Sequence, residues 1–282
     1  MNSEQLKAII SVLAAKYKFR TGIIEKDFYI TVILNNINEK LSENIVLKGG
    51  TLLNKIYFNY KRLSEDIDFT YISSAGLDTR SKRSKAIKLI REKMKEFLKY
   101  LDLKSPNIGE KGFDESQQYV FYILYPSIVT GKNENIKLEI SLKQFPIEKP
   151  VRNKINHFYK DPFTGDNIIP SGNILSLSMN EAIAEKLKAA ITRKEAAIRD
   201  YYDLWYISEL KFDFKNENFI KLFQKKLEGE NYKGNYKKNF GLNEKAIISL
   251  NKQVESALMP VIRTDEKFDL NKVFKKFNEI FE

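Results

Sequence analysis

Two aspartates, Asp66 and Asp68, are the residues whose type and spacing most directly suggest chemistry. They lie in a segment, Asp66 to Ile72, in which polar and apolar residues alternate, and this alternation predicts a β-strand. In a strand, both carboxylates project from the same face. Because two close carboxylates repel each other unless a cation lies between them, we predict that Asp66 and Asp68 bind metal for phosphoryl or nucleotidyl transfer. The alternative is an exposed polar strand face.

A third carboxylate is expected on a neighbouring strand. Alternation from Ile136 to Leu142 places Glu139 on a polar face, together with Lys137 and Ser141. Glu139 is therefore a candidate third metal ligand, or a general base toward an attacking hydroxyl. The alternative interpretation is a surface glutamate.

A glycine pair precedes the two aspartates. Gly49 and Gly50 follow a short apolar strand, Ile45 to Leu47, and precede a predicted helix. A glycine turn between a strand and a helix lets backbone N–H groups approach phosphate oxygens closely, although the same dipeptide also occurs as a plain turn. We expect Thr51 to contribute a hydroxyl to a triphosphate, and Lys55 to contribute a positive charge one turn later.

One lysine and two aspartates of the C-terminal half are predicted to point inward. Lys186 falls on the apolar face of a predicted helix, where lysines are rare without a partner. Asp200 and Asp203 share a face with apolar residues on the next helix. Two interpretations remain open at this stage. The three residues form a structural network between helices, or Lys186 reaches a nucleotide and an aspartate orients it.

Four sequence motifs occur in a fixed order along the chain. They are Gly49-Gly50-Thr51, Arg62-x-Ser64-x-Asp66-Ile67-Asp68, Glu185-Lys186-Leu187-Lys188-Ala189 and Arg199-Asp200-Tyr201-Tyr202-Asp203-Leu204. This order resembles the AbiEii/AbiGii-type nucleotidyltransferase toxins, a family within the polymerase-β-like nucleotidyltransferase superfamily. The resemblance extends from about Ile24 to Leu210. The Asp-x-Asp motif is shared by the superfamily, whereas the Arg199-Asp200 helix is typical of the toxins.

The resemblance implies a site for an NTP and for Mg²⁺ (or Mn²⁺). It implies phosphate contact at Gly49, Gly50, Thr51 and Lys55, and metal binding at Asp66 and Asp68. It also implies a catalytic or nucleotide role for Lys186 and Asp203. Arg62, Ser64 and Asp200, which also lie in these motifs, are further candidates for nucleotide contact. Glu139 is not part of a family motif and is supported by the strand argument alone.

The composition favours the same chemistry. The 282 residues include no cysteine and a single histidine, His157, which excludes disulfides, thiol nucleophiles and multi-histidine metal sites. Carboxylates with hard cations remain. The net charge of +11 indicates a polyanionic partner. Nine Lys or Arg against two Glu lie between Arg80 and Tyr100, where apolar residues at helical spacing predict an amphipathic basic helix.

We therefore predict an α+β (mixed α/β) fold. A polymerase-β-like nucleotidyltransferase domain with a mixed sheet and N-terminal helices spans residues 1–170. A helical domain, residues 171–282, completes the nucleotide cleft. The segment from Pro150 to Asn173 is rich in turn signals and is interpreted as the connection. With no secretory signal and no membrane-spanning stretch recognised, we expect a cytoplasmic protein.

The expected activity is metal-dependent transfer of an NMP from an NTP to an acceptor hydroxyl. RNA is the expected acceptor, with tRNA as a candidate, and the resemblance implies the toxin of a bacterial toxin–antitoxin or abortive-infection module, with a cognate antitoxin as partner. One alternative is transfer to a protein or small molecule. Another is a non-catalytic nucleotide-binding module, which has little use for paired acids.

Overall fold

The protein combines one mixed β-sheet with helices that come before, between and after its strands in the sequence. A computed structural model describes residues 2–73, 76–106, 110–113, 117–143 and 145–282. The helices are α1 (Ser3–Tyr17), α2 (Thr21–Lys40), α3 (Gly49–Leu52), α4 (Arg80–Tyr100), α5 (Met179–Thr192), α6 (Ile198–Glu209), α7 (Glu217–Glu228), α8 (Glu244–Gln253) and α9 (Leu270–Phe281). The strands are β1 (Ile45–Lys48), β2 (Asp66–Tyr71), β3 (Glu110–Phe113), β4 (Gln118–Pro126), β5 (Asn133–Ser141), β6 (Val151–Lys154) and β7 (Asn173–Ser176).

The chain divides into two compact units, Met1–Ser178 and Met179–Glu282. We predicted a boundary after residue 170, but β7 belongs to the first unit because it pairs with both β1 and β6. Each unit has its own buried apolar core.

The sheet of the first unit is mixed, as predicted. Its strand order is β3-β4-β5-β2-β1-β7-β6. β2 runs parallel to β5 and antiparallel to β1, and β1 runs parallel to β7. The acidic strand β2 is therefore flanked by hydrogen-bonded strands on both sides. This central position fixes the register of Asp68 against both neighbours and that of Asp66 against β5.

The N-terminal helices form because apolar residues recur on one face of each. α1 begins with a capping box, in which the Asn2 side chain accepts from the Gln5 N–H and the Gln5 side chain accepts from the Asn2 N–H. α2 buries most of its apolar residues, and Glu25 and Asp27 with them. Buried carboxylates require partners. The Glu25 carboxylate accepts hydrogen bonds from the Ser127 hydroxyl at 2.6 Å and from the Ile128 N–H at 2.6 Å.

Helix α4 is the basic amphipathic helix that the sequence predicts. Thr79 caps its first turn by accepting from the Lys82 N–H. Its buried face includes Ile87, Ile90 and Met94, whereas its lysines are exposed. Arg83 is the exception among the basic residues, because it is buried and donates to the Leu77 carbonyl at 3.0 Å.

The connection predicted between Pro150 and Asn173 contains a strand that the sequence does not reveal. β6 pairs antiparallel with β7 over four residues, from Val151 opposite Ser176 to Lys154 opposite Asn173. Three of the four residues of β6 are exposed, so no apolar alternation marks it. The strand exists because β7 offers it hydrogen-bonding partners.

The second unit is helical, as predicted. α5 packs against both α6 and α7, and α6 packs against α9. Its core is rich in aromatic side chains, with Phe240 in contact with Tyr201, Phe274 and Phe277. α5 and α7 are also joined by ion pairs from the buried Lys226 to Glu181 at 2.5 Å and to Glu185 at 2.9 Å.

Candidate active site

The glycine turn lies directly against the acidic strand. β1 and β2 pair so that Lys48 stands opposite Asp68, and the chain turns at Gly49 with a φ of +73°. A Cβ on Gly49 would collide with the Asp68 carboxylate. Glycine is therefore needed at position 49 both for its backbone conformation and for the close approach to Asp68.

The three predicted carboxylates lie on neighbouring strands. In the parallel pair β2–β5, Asp68 is opposite Glu139 and Asp66 is opposite Lys137. Because partners in register share a face of the sheet, all four side chains project from the same side. Asp66, Asp68 and Glu139 are partly exposed on this face, and we call these three residues the acidic cluster.

Ionisation of the Asp68 carboxylate is opposed by its surroundings. Burial and the negative charges of Glu139 and Asp66 raise the pKa of Asp68 to about 6, although Lys48 and Lys137 act in the other direction. With a pKa of about 6, the Asp68 carboxyl gains and loses its proton close to neutral pH. A positive charge placed beside Asp68 therefore favours its ionised form.

Two further motif residues hold the backbone of Asp66. Thr51 is fully buried, and its hydroxyl donates to the Asp66 carbonyl at 2.5 Å. Ser64 donates to the same carbonyl over a longer distance, 3.5 Å. We expected Thr51 to bind a triphosphate directly. Its burial and its bond to Asp66 instead make it a residue that ties the helix after the glycine turn to the acidic strand.

Arg62 lies beneath the glycine turn. Its guanidinium is buried, donates to the Leu63 carbonyl at 3.1 Å, and occupies the space that a Cβ on Gly50 would need. Its backbone N–H donates to the Asn54 side chain at 3.1 Å, and Asn54 also donates to the Gly50 carbonyl at 2.9 Å. The second glycine thus leaves room for a guanidinium close to the turn, and a Cβ there would have to displace it.

Lys55 is not placed as we expected. The residue is buried in the π-helical turn Leu53–Tyr57 that continues α3. Its ammonium pairs with Asp27 at 2.9 Å and donates to Thr31 at 2.7 Å. A further bond reaches the Tyr60 hydroxyl at 3.2 Å. Since an ammonium has three donors, these partners use all of them, which corrects the expected phosphate contact at Lys55.

Lys186, Asp200 and Asp203 form a buried cluster within the second unit. The Lys186 ammonium lies 2.7 Å from Asp200 and 2.9 Å from Asp203, and all three side chains are less than a tenth exposed. Arg193 approaches Asp200 from the other side at 3.0 Å. The inward direction predicted for these residues is confirmed, and the structural network that was one of the two interpretations is present.

Lys137 and Lys48 belong to the site although the sequence analysis assigned them no role. The Lys137 ammonium pairs with Glu139 at 2.9 Å, two residues further along the same face of β5. Lys48 faces Asp68 across β1 and β2. Within the residues that the structure describes, no group of three or more Asp, Glu or His side chains converges as a closed metal site. Lys137 is the cation that Glu139 contacts in this structure.

A family model now gives the chain an identity. The model described as "Nucleotidyl transferase AbiEii toxin, Type IV TA system" matches residues 32–278. The chain belongs to the AbiEii nucleotidyltransferase toxin family. This membership confirms the resemblance drawn from the four motifs, all of which lie inside the matched range, and makes the protein a nucleotidyltransferase of the toxin type.

Solved structures show that this AbiEii family member shares its fold with a nucleotidyltransferase toxin and with a protein of Helicobacter pylori. The MenT4 nucleotidyltransferase toxin of Mycobacterium tuberculosis superposes with a TM-score of 0.62 at 14% identity, covering 98% of this chain and 88% of MenT4. JHP933 of Helicobacter pylori superposes with a TM-score of 0.51 at 15% identity, covering 93% and 91%. No curated protein sequence gives a significant match. In the described part of the AbiEii chain, no helix is long and apolar enough to cross a membrane.

Proposed function

We propose that this AbiEii family member transfers an NMP from an NTP to a hydroxyl of RNA, with tRNA as a candidate, and that the transfer requires Mg²⁺ or Mn²⁺. Asp66, Asp68 and Glu139 are the proposed metal ligands. The backbone of Gly49 and Gly50 is the proposed contact for the triphosphate. The proposed nucleotide contacts of Arg62, Ser64, Lys186, Asp200 and Asp203 rest on the family motifs.

One observation supports this assignment above the others, which is the position of Asp68. Its carboxylate fills the space beside Gly49, stands in register with Glu139, and has its pKa raised to about 6 by burial and by neighbouring negative charge. An arrangement that raises the free energy of the ionised carboxylate is costly to maintain without a compensating cation.

The donor set fits a hard divalent cation. Carboxylate oxygens are the ligands that Mg²⁺ prefers, usually one or two from the protein together with phosphate oxygens of the substrate. Asp66 and Asp68 supply such oxygens from one face of β2, and Glu139 supplies them from β5. When bound, the cation stabilises negative charge on the attacking and leaving oxygens.

Other groups of the chain would bind the phosphates and accept the proton that the reaction releases. N–H groups in the first turn of a helix have no acceptor within that helix, so those at Gly49 and Gly50 are suited to phosphate oxygens. The acceptor hydroxyl attacks the α-phosphorus, the bond to the bridging oxygen breaks, and pyrophosphate leaves. The proton of the attacking hydroxyl passes to solvent, or to Glu139 where that carboxylate serves as the general base instead of as a ligand.

The preference for RNA rests on positive charge that the chemistry at the acidic cluster does not use. α4 carries exposed lysines along its outer face, among them Lys85, Lys95 and Lys99. Such a row of cations matches a phosphate backbone, whose neutralisation releases counterions and drives association. The family description as part of a toxin–antitoxin system supports an antitoxin as a second partner.

The test is a transfer assay with the purified full-length chain. Each of the four NTPs, labelled at the α-phosphate, is incubated with Mg²⁺, total RNA and the protein. We expect label to appear in RNA with at least one NTP, to require the divalent cation, and to be absent with NTP labelled at the γ-phosphate. Label in the protein fraction or in a small molecule would overturn the proposed acceptor while retaining the chemistry.

The control is the pair of variants Asp66→Ala and Asp68→Ala, with their fold checked by circular dichroism. Both remove a proposed ligand without removing buried apolar surface, so we expect folded proteins that transfer no label. Near wild-type transfer by the double variant would contradict the proposed mechanism.

A further inference from the structure

The acidic cluster contains a positive charge of its own. Lys137 lies between the acidic positions, in register with Asp66 on the neighbouring strand and two residues before Glu139 on its own strand. Its ammonium contacts the Glu139 carboxylate at 2.9 Å, and its charge also interacts favourably with Asp68 and Asp66. One lysine therefore offsets part of the repulsion among three carboxylates.

The ion pair is held loosely enough to be exchanged. The Lys137 side chain is 36% exposed and the Glu139 side chain 17%, so the ammonium can leave Glu139 for water at small cost. Ion pairs with a partner open to solvent contribute little to stability, because water can replace the partner of the exposed group. Lys55 is different, because its pair with Asp27 is almost completely buried and breaking it would leave charges without solvent.

We propose that Lys137 is a built-in counter-ion of the acidic cluster, which competes with the divalent cation for Glu139 and is displaced when that cation binds. The inference rests on the proposed metal site. Lys137 acts here as a positioning residue, since it holds the Glu139 carboxylate in place before the cation arrives and lowers the apparent affinity for the cation by that competition.

Removing the competitor should therefore strengthen metal binding. Lys137→Met keeps most of the apolar stem and removes the ammonium. Binding of Mn²⁺ to the full-length protein without nucleotide, followed by electron paramagnetic resonance, should become tighter by about 5-fold, the factor that corresponds to about 1 kcal/mol for a pair of this exposure. Lys137→Arg should leave the affinity equal to that of the wild type or weaker, because Arg also pairs with a carboxylate.

Lys48→Met is a stringent control for a general effect of charge. Lys48 faces Asp68 from β1 and lowers its pKa more than Lys137 does. If Lys137 acted only by its field at Asp68, Lys48→Met would tighten Mn²⁺ binding at least as much as Lys137→Met. The competition for Glu139 instead predicts the larger effect at Lys137.

A double-mutant cycle with Glu139→Gln decides whether the competition takes place at Glu139. In the Glu139→Gln background the carboxylate that Lys137 holds is gone, so Lys137→Met should change Mn²⁺ affinity by less than about 2-fold. An equal effect of Lys137→Met in both backgrounds would overturn the inference and leave the proposed metal site standing. If the folded wild type and Lys137→Met both fail to bind Mn²⁺ at millimolar concentration, the proposed metal site itself is overturned.

Discussion

At the scale of single residues, the site is defined by charges that oppose one another at short range. The negative charges of Asp66 and Glu139 disfavour the ionised form of Asp68, whereas the positive charges of Lys48 and Lys137 favour it. Burial also disfavours the ionised carboxylate. The raised pKa of Asp68 therefore means that the ionised form of this residue destabilises the native state.

The first prediction concerns the stability of Asp68→Asn without metal. The pKa of Asp68 rises from 3.8 to about 6 on folding, so its stabilising contribution is full below pH 3.8 and is lost as the pH rises through 6. Asparagine does not titrate. The free energy of unfolding of the variant should therefore exceed that of the wild type by on the order of 1–3 kcal/mol at pH 7.5, and by much less at pH 4.

Urea denaturation in EDTA at both pH values measures this difference. Mg²⁺ should stabilise the wild type at pH 7.5 and leave Asp68→Asn unchanged, because only a protein that binds the ion gains stability from it. A variant less stable than the wild type at pH 7.5 would contradict the electrostatic account.

The second prediction concerns Lys186→Met in the second unit. Removing the ammonium leaves the carboxylates of Asp200 and Asp203 buried without it, and loss of one partner of a buried pair costs about 3–5 kcal/mol. The matched control is Lys188→Met on the same helix. Lys188 pairs with Glu230 at 3.3 Å, and the Glu230 side chain is 29% exposed, so its loss should cost less.

Denaturation curves and NTP titrations of the same preparations separate the two roles of Lys186. Adding Asp200→Asn to Lys186→Met should restore part of the stability, because it removes one unpaired charge. If NTP affinity also falls by on the order of 1.5–3 kcal/mol, the lysine contacts the nucleotide. Wild-type stability of Lys186→Met would contradict the buried network.

Residue roles followed from the sequence where a strand or helix fixes the direction of a side chain. Alternation was enough to place Asp66 and Asp68 on one face of β2, and Glu139 on the polar face of β5. It was not enough for Lys55, because Asp27 and Tyr60, which bind it, lie on other segments and the local helix is π-helical. The bond of Thr51 could not be predicted for the same reason, since it reaches from α3 to a backbone carbonyl of β2.

At the scale of secondary structure, the decisive element is the turn from β1 into α3. Gly49 has a left-handed φ and touches Asp68, whereas Gly131 has a similar φ of +68° with nothing within 4 Å of an added Cβ. A comparison of the two glycines therefore separates the cost of a side chain in the left-handed conformation from the cost of its collision with Asp68.

The third prediction compares Gly49→Ala with Gly131→Ala. Alanine at Gly131 should cost only the left-handed conformation, on the order of 1–2 kcal/mol. Alanine at Gly49 must also displace the Asp68 carboxylate, so a further loss of about 1–3 kcal/mol is expected, together with loss of Mn²⁺ binding and transfer. Thermal denaturation and Mn²⁺ titration of both variants test this. Equal stability losses would contradict the close approach seen at Gly49.

The elements that the sequence revealed are those with a strong apolar period. The prediction for α4 agrees with its bounds, Arg80–Tyr100, and the prediction for β2 agrees within one residue. β6 was missed because its residues are largely exposed. The strand order, with β2 between β5 and β1, also could not be predicted, since parallel pairing depends on hydrogen bonds between segments that are distant in sequence.

At the scale of the whole molecule, the question is whether net charge or its location attracts the acceptor. A chain with a net charge of +11 attracts any polyanion from a distance, and salt screens that attraction over about 8 Å at physiological ionic strength. The row of lysines on α4 supports a more specific hypothesis, which is that these particular positions contact phosphates.

The last prediction separates the effect of net charge from the effect of its location by comparing variants of equal charge. Lys85, Lys95 and Lys99 are exposed on α4, and the control lysines Lys7, Lys16 and Lys132 are exposed elsewhere in the first unit. Replacing either set by Gln lowers the net charge from +11 to +8, because each substitution removes one positive charge from the composition. If α4 contacts the phosphate backbone, only its triple variant should lose RNA affinity in proportion to the contacts removed. Each lost contact should reduce the slope of log K against log salt by about 0.7–0.9, so the α4 variant should lose up to about 2–3 units of slope.

Fluorescence anisotropy with a labelled RNA at several salt concentrations measures both slopes. NTP binding serves as the internal check. We expect it to be the same in both triple variants, because none of the six lysines belongs to the acidic cluster and salt screens exposed charges. Equal losses of RNA affinity in the two variants would show that total charge alone attracts RNA. An unchanged slope in the α4 variant would remove this helix from the acceptor path, and the nucleotidyltransferase chemistry of Asp66, Asp68 and Glu139 would then need a different route for its acceptor.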